Sequence, residues 1–96
     1  MTVQILPEAE QDLIDGFSFY ELQQPGLGRY FLDSLFSDID SLQFFGGIHM
    51  NVHGYHRLLS KRFPFAVYYR VQNEQVQIYA VLDCRRSPAW VHDPLT

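Results

Sequence analysis

The chain has 96 residues, a formal net charge of −4, 47% apolar residues and a single cysteine. This length allows one domain with one core. The composition is that of a folded chain rather than a disordered one. A single cysteine excludes an internal disulfide. No apolar run approaches the roughly 20 residues that a membrane span needs, and MTVQILPEAEQ lacks the features of a signal peptide, so we expect one cytoplasmic domain over residues 1–96.

The first half of the chain has the pattern of a strand followed by two helices. Residues 2–6 (TVQIL) are β-prone, and Pro7, Glu8 and Glu10 suit a first helical turn, where proline needs no N–H and acids face the positive end of the dipole. Apolar residues then recur every three or four positions to about Gln23, and again from residue 28 to the glycine pair 46–47. The short connection between the two stripes predicts an antiparallel helical hairpin.

The second half has the pattern of three strands. Residues 55–60, 65–71 and 76–83 are rich in Val, Ile, Tyr and Phe, and a polar connection at 72–75 separates the last two. The resulting order, β-α-α-β-β-β, predicts an α+β fold: a small antiparallel sheet with the helical hairpin packed on one face.

Strand periodicity predicts which side chains share a face of this sheet. In the last strand it groups Val76, Ile78, Ala80 and Leu82 on the face toward the helices. The opposite, open face then collects Arg57, Tyr68, Arg70 and Tyr79, with Arg85 and Arg86 at its edge.

Charge is distributed unevenly between the two halves. Residues 1–48 hold eight acids and one base, whereas residues 49–96 hold six bases and three acids. A protein that coats nucleic acid non-specifically is usually basic throughout, because phosphate neutralisation drives that binding. We therefore expect any anionic partner to meet the C-terminal half.

Several motifs resemble the RelE/ParE superfamily of bacterial type II toxin–antitoxin toxins, most closely its ParE-like branch. They are PEAEQDL (7–13), FYE (19–21), PGLG (25–28), GYHRLLSKRFPFAVYYRV (54–71) and VLDCRRSPAW (81–90). The sequence departs from the family at Leu6, where many relatives have a serine or threonine helix cap. It departs again at Asp83 and Cys84, where relatives often have a histidine and a small or polar residue.

This resemblance implies one of two activities and one partner. ParE-like toxins inhibit DNA gyrase, whereas RelE-like toxins enter the ribosome and cut mRNA, and a cognate antitoxin holds both inactive. A relative that has lost toxicity and only binds antitoxin is a third alternative. No cofactor or metal is implied.

Cleavage of RNA without a metal needs a base, an acid and cations around one phosphodiester. If the chain is a nuclease, the candidate catalytic residues are Arg57, Lys61, Arg85, Arg86 and His92. Arginine is a poor general base because it stays protonated, and His56 is predicted to point away from the basic face. With no clear acid–base pair, we expect binding rather than catalysis.

Other combinations of residues have simpler interpretations. His49, His53, His56 and Cys84 do not have the spacing of a compact zinc site. Cys84 is interpreted as a free thiol rather than a nucleophile. The acids Asp12, Asp15 and Glu21 are expected to form a solvated helix face.

A binding surface is therefore predicted in the C-terminal half. Two interpretations of Arg85 stay open: it contacts a target or antitoxin, or it pairs with Asp83 or a helix acid. The candidate target- or antitoxin-binding residues are Arg57, Arg62, Tyr68, Arg70, Tyr79, Arg85, Arg86 and Trp90.

Overall fold

The computed structural model describes residues 1–85. Its elements, in chain order, are β1 (Thr2–Ile5), α1 (Pro7–Gln23), α2 (Leu27–Asp40), α3 (Leu42–Phe45), β2 (Asn51–Val52), β3 (Tyr55–Leu59), β4 (Phe65–Gln72) and β5 (Gln75–Asp83). The predicted α+β arrangement with a helical hairpin is confirmed, and the short elements α3 and β2 add to it. Among residues 1–85, no helix has the length and apolar character needed to cross a membrane.

The five strands form one mixed sheet in the order β1-β5-β4-β3-β2. Strands β3, β4 and β5 pair as antiparallel neighbours, as predicted, and the additional strand β2 pairs antiparallel to β3. Strand β1 instead pairs parallel to β5, with Ile5 opposite Ile78. A parallel pair needs a long connection, and here all the intervening elements supply it. No local sequence pattern reports that pairing.

A β-bulge in β5 changes which residues face the helices. Tyr68 lies opposite Ala80 while Tyr69 lies opposite Ile78, so Tyr79 is an extra residue in β5. Because one inserted residue reverses the alternation, the face prediction for Ala80 and Leu82 was wrong. Both join Ala66 and Tyr68 in a small buried cluster on the face away from the helices. Val81 takes the core-facing position instead.

The main core lies between the helices and the sheet. Its centre is fully or almost fully buried and comprises Phe31, Leu35, Ile39, Leu42, Val67, Tyr69, Val76, Ile78 and Val81. An aromatic group extends this core, since the Tyr20, Phe31, Phe63 and Phe65 rings lie 4.9–6.2 Å apart between centroids. This packing joins α1 and α2 to the start of β4.

Two glycines allow the helices to approach closely. A Cβ at Gly16 would lie 2.5 Å from the Phe31 ring, and one at Gly28 would lie 2.7 Å from the Phe17 carbonyl oxygen. The carboxylate of Glu21 accepts the N–H groups of Gly26 and Gly28 at 3.0–3.1 Å. Glu21 in α1 therefore caps the N-terminus of α2, where N–H groups lack helical partners, and it is not part of a solvated face.

Candidate functional site

Arg70 is held in a fixed position on the sheet face away from the helices. Its guanidinium carbon lies 4.0 Å from the centre of the Tyr55 ring and 5.5 Å from that of Tyr79. Its Nε donates to the Gly54 carbonyl at 3.3 Å, and the Asn51 side chain accepts the Gly54 N–H at 3.0 Å. Cation–π contact and a hydrogen bond to the β2–β3 turn thus orient the charge.

The other residues predicted for this face lie beside Arg70. Arg57 on β3 is half-buried and lies opposite Tyr68 on β4. The Tyr68 side chain is only 4% exposed and packs with Ala66, Ala80 and Leu82, so it offers little contact surface. Tyr79 is half-buried and its hydroxyl donates to Gln77 at 3.4 Å. The structure therefore brings together Arg57, Arg70 and Tyr79, with Tyr55 as a member that the sequence analysis missed.

The basic residues of the β3–β4 connection belong to a different region. The buried carboxylate of Asp38 on α2 accepts the Ser60 hydroxyl at 2.7 Å and the Lys61 N–H at 3.4 Å. This contact ties the connection to the helical layer. Lys61 and Arg62 are exposed there, and Arg62 lies 6.0 Å from the centre of the Tyr30 ring. Arg62 therefore lies toward α2 and not on the face that holds Arg70.

Arg85 forms an ion pair with Asp83 at the end of β5. Its Nε and Nη2 donate to the two carboxylate oxygens at 2.9 Å, and its backbone N–H donates to the same carboxylate at 2.8 Å. Hydrogen bonding to this carboxylate raises the pKa of Arg85. The predicted pairing with Asp83 is thus present, and the positive charge of Arg85 is locally neutralised.

Two histidines lie on the helix side of the sheet, away from Arg70. The His56 ring stacks on Tyr69 at 5.1 Å between centroids, and its Nδ1–H donates to the His49 carbonyl at 2.9 Å. The Tyr69 hydroxyl accepts the Gly47 N–H at 3.0 Å and is hydrogen-bonded to Nδ1 of His49. Burial, and secondarily the charge of His56, lowers the pKa of His49. This arrangement is a partly buried structural network, and it agrees with the predicted direction of His56.

No metal site is present within residues 1–85. In that part of the chain no group of three or more His, Cys, Asp or Glu side chains is placed to hold an ion, and Cys84 is an exposed free thiol. Arg86, Trp90 and His92, which the sequence analysis also proposed for the site, lie outside the described residues.

A groove separates α1 from the end of β5. It has a volume of about 360 Å³ and is lined by Asp12, Asp15, Gly16, Phe19, Phe65, Val81, Leu82, Asp83 and Arg85. We call it the α1–β5 groove. It forms because β1 pairs with β5 only as far as Ile78, whereas β5 continues to Asp83. Beyond that point Asp12 takes the place of a neighbouring strand, since its carboxylate accepts the Val81 N–H at 2.9 Å.

Asp12 therefore has a specific structural role that the sequence analysis missed. It was expected on a solvated face, but it is half-buried against β5. No local pattern in the sequence signals this contact, because Asp12 and Val81 are 69 positions apart in the chain.

Comparison with known proteins supports the fold. No protein-family model matches the chain, and no curated protein matches it. Among solved structures, it is similar to a chain of the chromosomal ParDE TA system from P. aeruginosa, with a TM-score of 0.76 and 22% identity. The likeness covers 84% of this chain and 92% of that one. At the level of the fold, this confirms the ParE-like resemblance.

Proposed function

We propose that the chain is the toxin of a type II toxin–antitoxin system, that it inhibits DNA gyrase by binding, and that a cognate antitoxin neutralises it in the cytoplasm. The observation that carries this proposal is the likeness to the ParDE structure over 84% of the chain. It agrees with the motifs in the sequence, which are spread over residues 7–90.

The arrangement of the described arginines supports binding over catalysis. Arg70 is clamped by Tyr55 and the Gly54 carbonyl, which suits a fixed contact at an interface, where arginine and tyrosine are favoured. A nuclease needs a group that accepts a proton. The imidazoles of His49 and His56 lie on the other side of the sheet, and arginine does not serve as a base.

Two assays with purified protein test this function. One measures DNA supercoiling by gyrase, and the other measures mRNA cleavage by primer extension in a translation reaction. We expect inhibition of supercoiling with intact message. Message cleavage with normal supercoiling would identify a ribosome-dependent endonuclease instead, and inactivity in both assays would leave an antitoxin-binding relative.

Variants of Arg70 test whether the fixed charge is part of the contact. Arg70→Ala should raise the inhibitory concentration by about tenfold or more, the loss typical of a central interface residue. Arg70→Lys keeps the charge without the planar stack, so we expect an intermediate loss. The matched control is Arg29→Ala, because Arg29 is an exposed arginine paired with Asp33 on α2. Equal effects of Arg70→Ala and Arg29→Ala would contradict a role for the Arg70 face.

A further inference from the structure

An apolar surface extends from α3 to the residue before β2. Phe44, Phe45, Ile48 and Met50 are 80%, 53%, 72% and 74% exposed. The chain folds back on itself between them, since the Ile48 N–H donates to the Phe45 carbonyl at 3.3 Å and Gly47 turns the backbone with a φ of 97°. We call these four side chains the α3–β2 patch.

The packing around the α3–β2 patch holds its side chains outward. Leu42, the first residue of α3, is fully buried, and Phe44 lies two positions later, on the opposite side of that helical turn. His49 points inward, where its ring contacts Tyr69. The patch residues on either side of His49 therefore face outward, and their exposure follows from the fold.

The apolar area of the patch matches what one chain contributes to a stable interface. At roughly 200 Å² for a fully exposed large side chain, the four exposed fractions amount to roughly 500 Å². A standard interface buries about 800 Å² per partner, of which about 60% is apolar. Apolar patches of this size on a single chain commonly mark a site of protein–protein contact.

The distribution of charge favours a second copy of the chain as the partner. Residues 41–56 contain no Asp, Glu, Lys or Arg, whereas residues 1–40 hold eight acids and one base. Two copies that met through the acidic part of the helical layer would bring like charges together, which opposes association. At the patch they would not. The terminal ammonium of Met1, which donates to the Gln43 carbonyl at 3.3 Å, lies at the border, where interfaces usually have a polar rim.

The patch and the Arg70 face lie on different sides of the sheet. A Cβ built on Gly46, at the end of α3, would lie 2.8 Å from Cγ2 of Val76, which belongs to the core between helices and sheet. The Arg70 side chain lies on the face away from the helices, against Tyr55. Contact through the patch therefore leaves the Arg70 face open to another protein.

From these features we propose that the α3–β2 patch is a self-association surface, through which two copies of the chain pack face to face about a twofold axis. Such a contact, with the same surface on both copies, is the commonest way in which identical chains pair. It buries Phe44 and Met50 against the partner copy. The contact depends neither on gyrase nor on an antitoxin. Because its area lies at the low end of the standard range, we expect a micromolar dissociation constant.

Sedimentation equilibrium of the full chain measures this association. Over about 1 to 200 µM protein, the average mass should rise from the 11.3 kDa of one chain toward twice that value. Added sodium chloride should not weaken the association. The patch has no ion pair to screen, and salt reduces the repulsion between two chains of net charge −4.

Matched variants locate the contact. Phe44→Asp should raise the dissociation constant at least about tenfold, because pairing would bury a carboxylate without a partner. Met50→Ala, a milder change, should raise it about threefold. The control is Leu22→Asp, which alters a leucine on α1 that is 89% exposed, and it should change the constant by less than about twofold. Unaltered urea midpoints would show that all three variants fold.

A mixture of two variants tests the face-to-face geometry. Phe44→Lys alone should associate as poorly as Phe44→Asp. Mixed in equal amounts, the two should associate more tightly than either does alone, because opposite charges then meet across the interface. A mixture no tighter than its components would contradict pairing of the patch with itself.

Other results would overturn self-association directly. One is a mass of 11.3 kDa over the whole concentration range, and another is equal weakening by Phe44→Asp and Leu22→Asp. A monomeric chain that co-purifies with the product of the neighbouring reading frame, and loses it in Phe44→Asp, would assign the patch to that partner instead. Gyrase inhibition by a strictly monomeric chain would refute only self-association, whereas a dimer that leaves supercoiling unchanged would refute only the gyrase target.

Discussion

Asp83 and Arg85 form a bidentate ion pair, with each carboxylate oxygen 2.9 Å from a guanidinium nitrogen. The same carboxylate accepts the Arg85 backbone N–H at 2.8 Å, so the pair also closes the turn that ends β5. The segment VLDCRR therefore contributes less free positive charge than its two arginines suggest. In contrast, aromatic rings and a carbonyl hold Arg70, and no carboxylate within residues 1–85 forms an ion pair with it.

The contrast between these two arginines predicts different mutational effects. Arg85→Gln should change the concentration for gyrase inhibition by less than about twofold, because an exposed ion pair contributes little. Arg70→Ala should cause the larger loss given above. The supercoiling assay measures both. Loss of inhibition in Arg85→Gln, with a normal melting temperature, would mean that the pair with Asp83 opens on the target.

The close contact between Gly16 and Phe31 predicts strong destabilisation by a single methyl group. A Cβ at Gly16 would lie 2.5 Å from two atoms of the Phe31 ring, and such overpacking typically costs about 1–3 kcal/mol. The gain in helix propensity from glycine to alanine, up to about 1 kcal/mol, only partly offsets this. Urea unfolding of Gly16→Ala should therefore show a lower midpoint.

Two further variants make this prediction specific. Ser18→Ala, at an exposed position on the same helix, should leave the midpoint nearly unchanged. Adding Phe31→Leu to Gly16→Ala should cost less than the two changes separately, because the clash is removed. Additive losses in the double variant would show that Phe31 is not the cause.

Features of the fold that depend on neighbouring residues were predicted from the sequence, whereas contacts between residues far apart in the chain were not. The two helices, the three long strands and the outward position of Arg70 came from periodicity, which depends on neighbouring residues. The parallel pairing of β1 with β5 and the contact from Asp12 to Val81 join residues about 70 positions apart, and no local pattern encodes them. The bulge at Tyr79 reversed one face assignment because a single extra residue leaves no mark on the composition of a strand.

The cap that Glu21 provides for α2 predicts a stability loss specific to that acid. Its carboxylate accepts the N–H groups of Gly26 and Gly28, so Glu21→Ala should lower the free energy of unfolding by about 0.5–2 kcal/mol, as for other lost helix caps. Glu21→Gln retains an acceptor and should lose less. The control is Glu10→Ala, at an exposed position in the first turn of α1. Equal losses at the two positions in chemical unfolding would contradict the capping role.

The hydrogen bond between Tyr69 and His49 predicts a pH dependence of stability near neutrality. The Tyr69 hydroxyl accepts from Gly47 and is hydrogen-bonded to Nδ1 of His49. In the neutral tautomer that carries its proton on Nε2, Nδ1 accepts the hydroxyl proton, whereas a protonated imidazole could not accept it. Burial also lowers the pKa of His49 from its ordinary value of 6.5. Between the two pKa values the unfolded chain binds more protons than the folded chain, so the free energy of unfolding is highest above pH 6.5 and falls as the pH drops below it. Chemical unfolding from about pH 7.5 to 5.5 should show this decline, above the range where carboxylates titrate.

His49→Asn should flatten the profile, whereas His53→Asn should preserve it, because His53 is exposed with a φ of 52°, a conformation that asparagine tolerates. If the slope survived in His49→Asn, another group would be responsible.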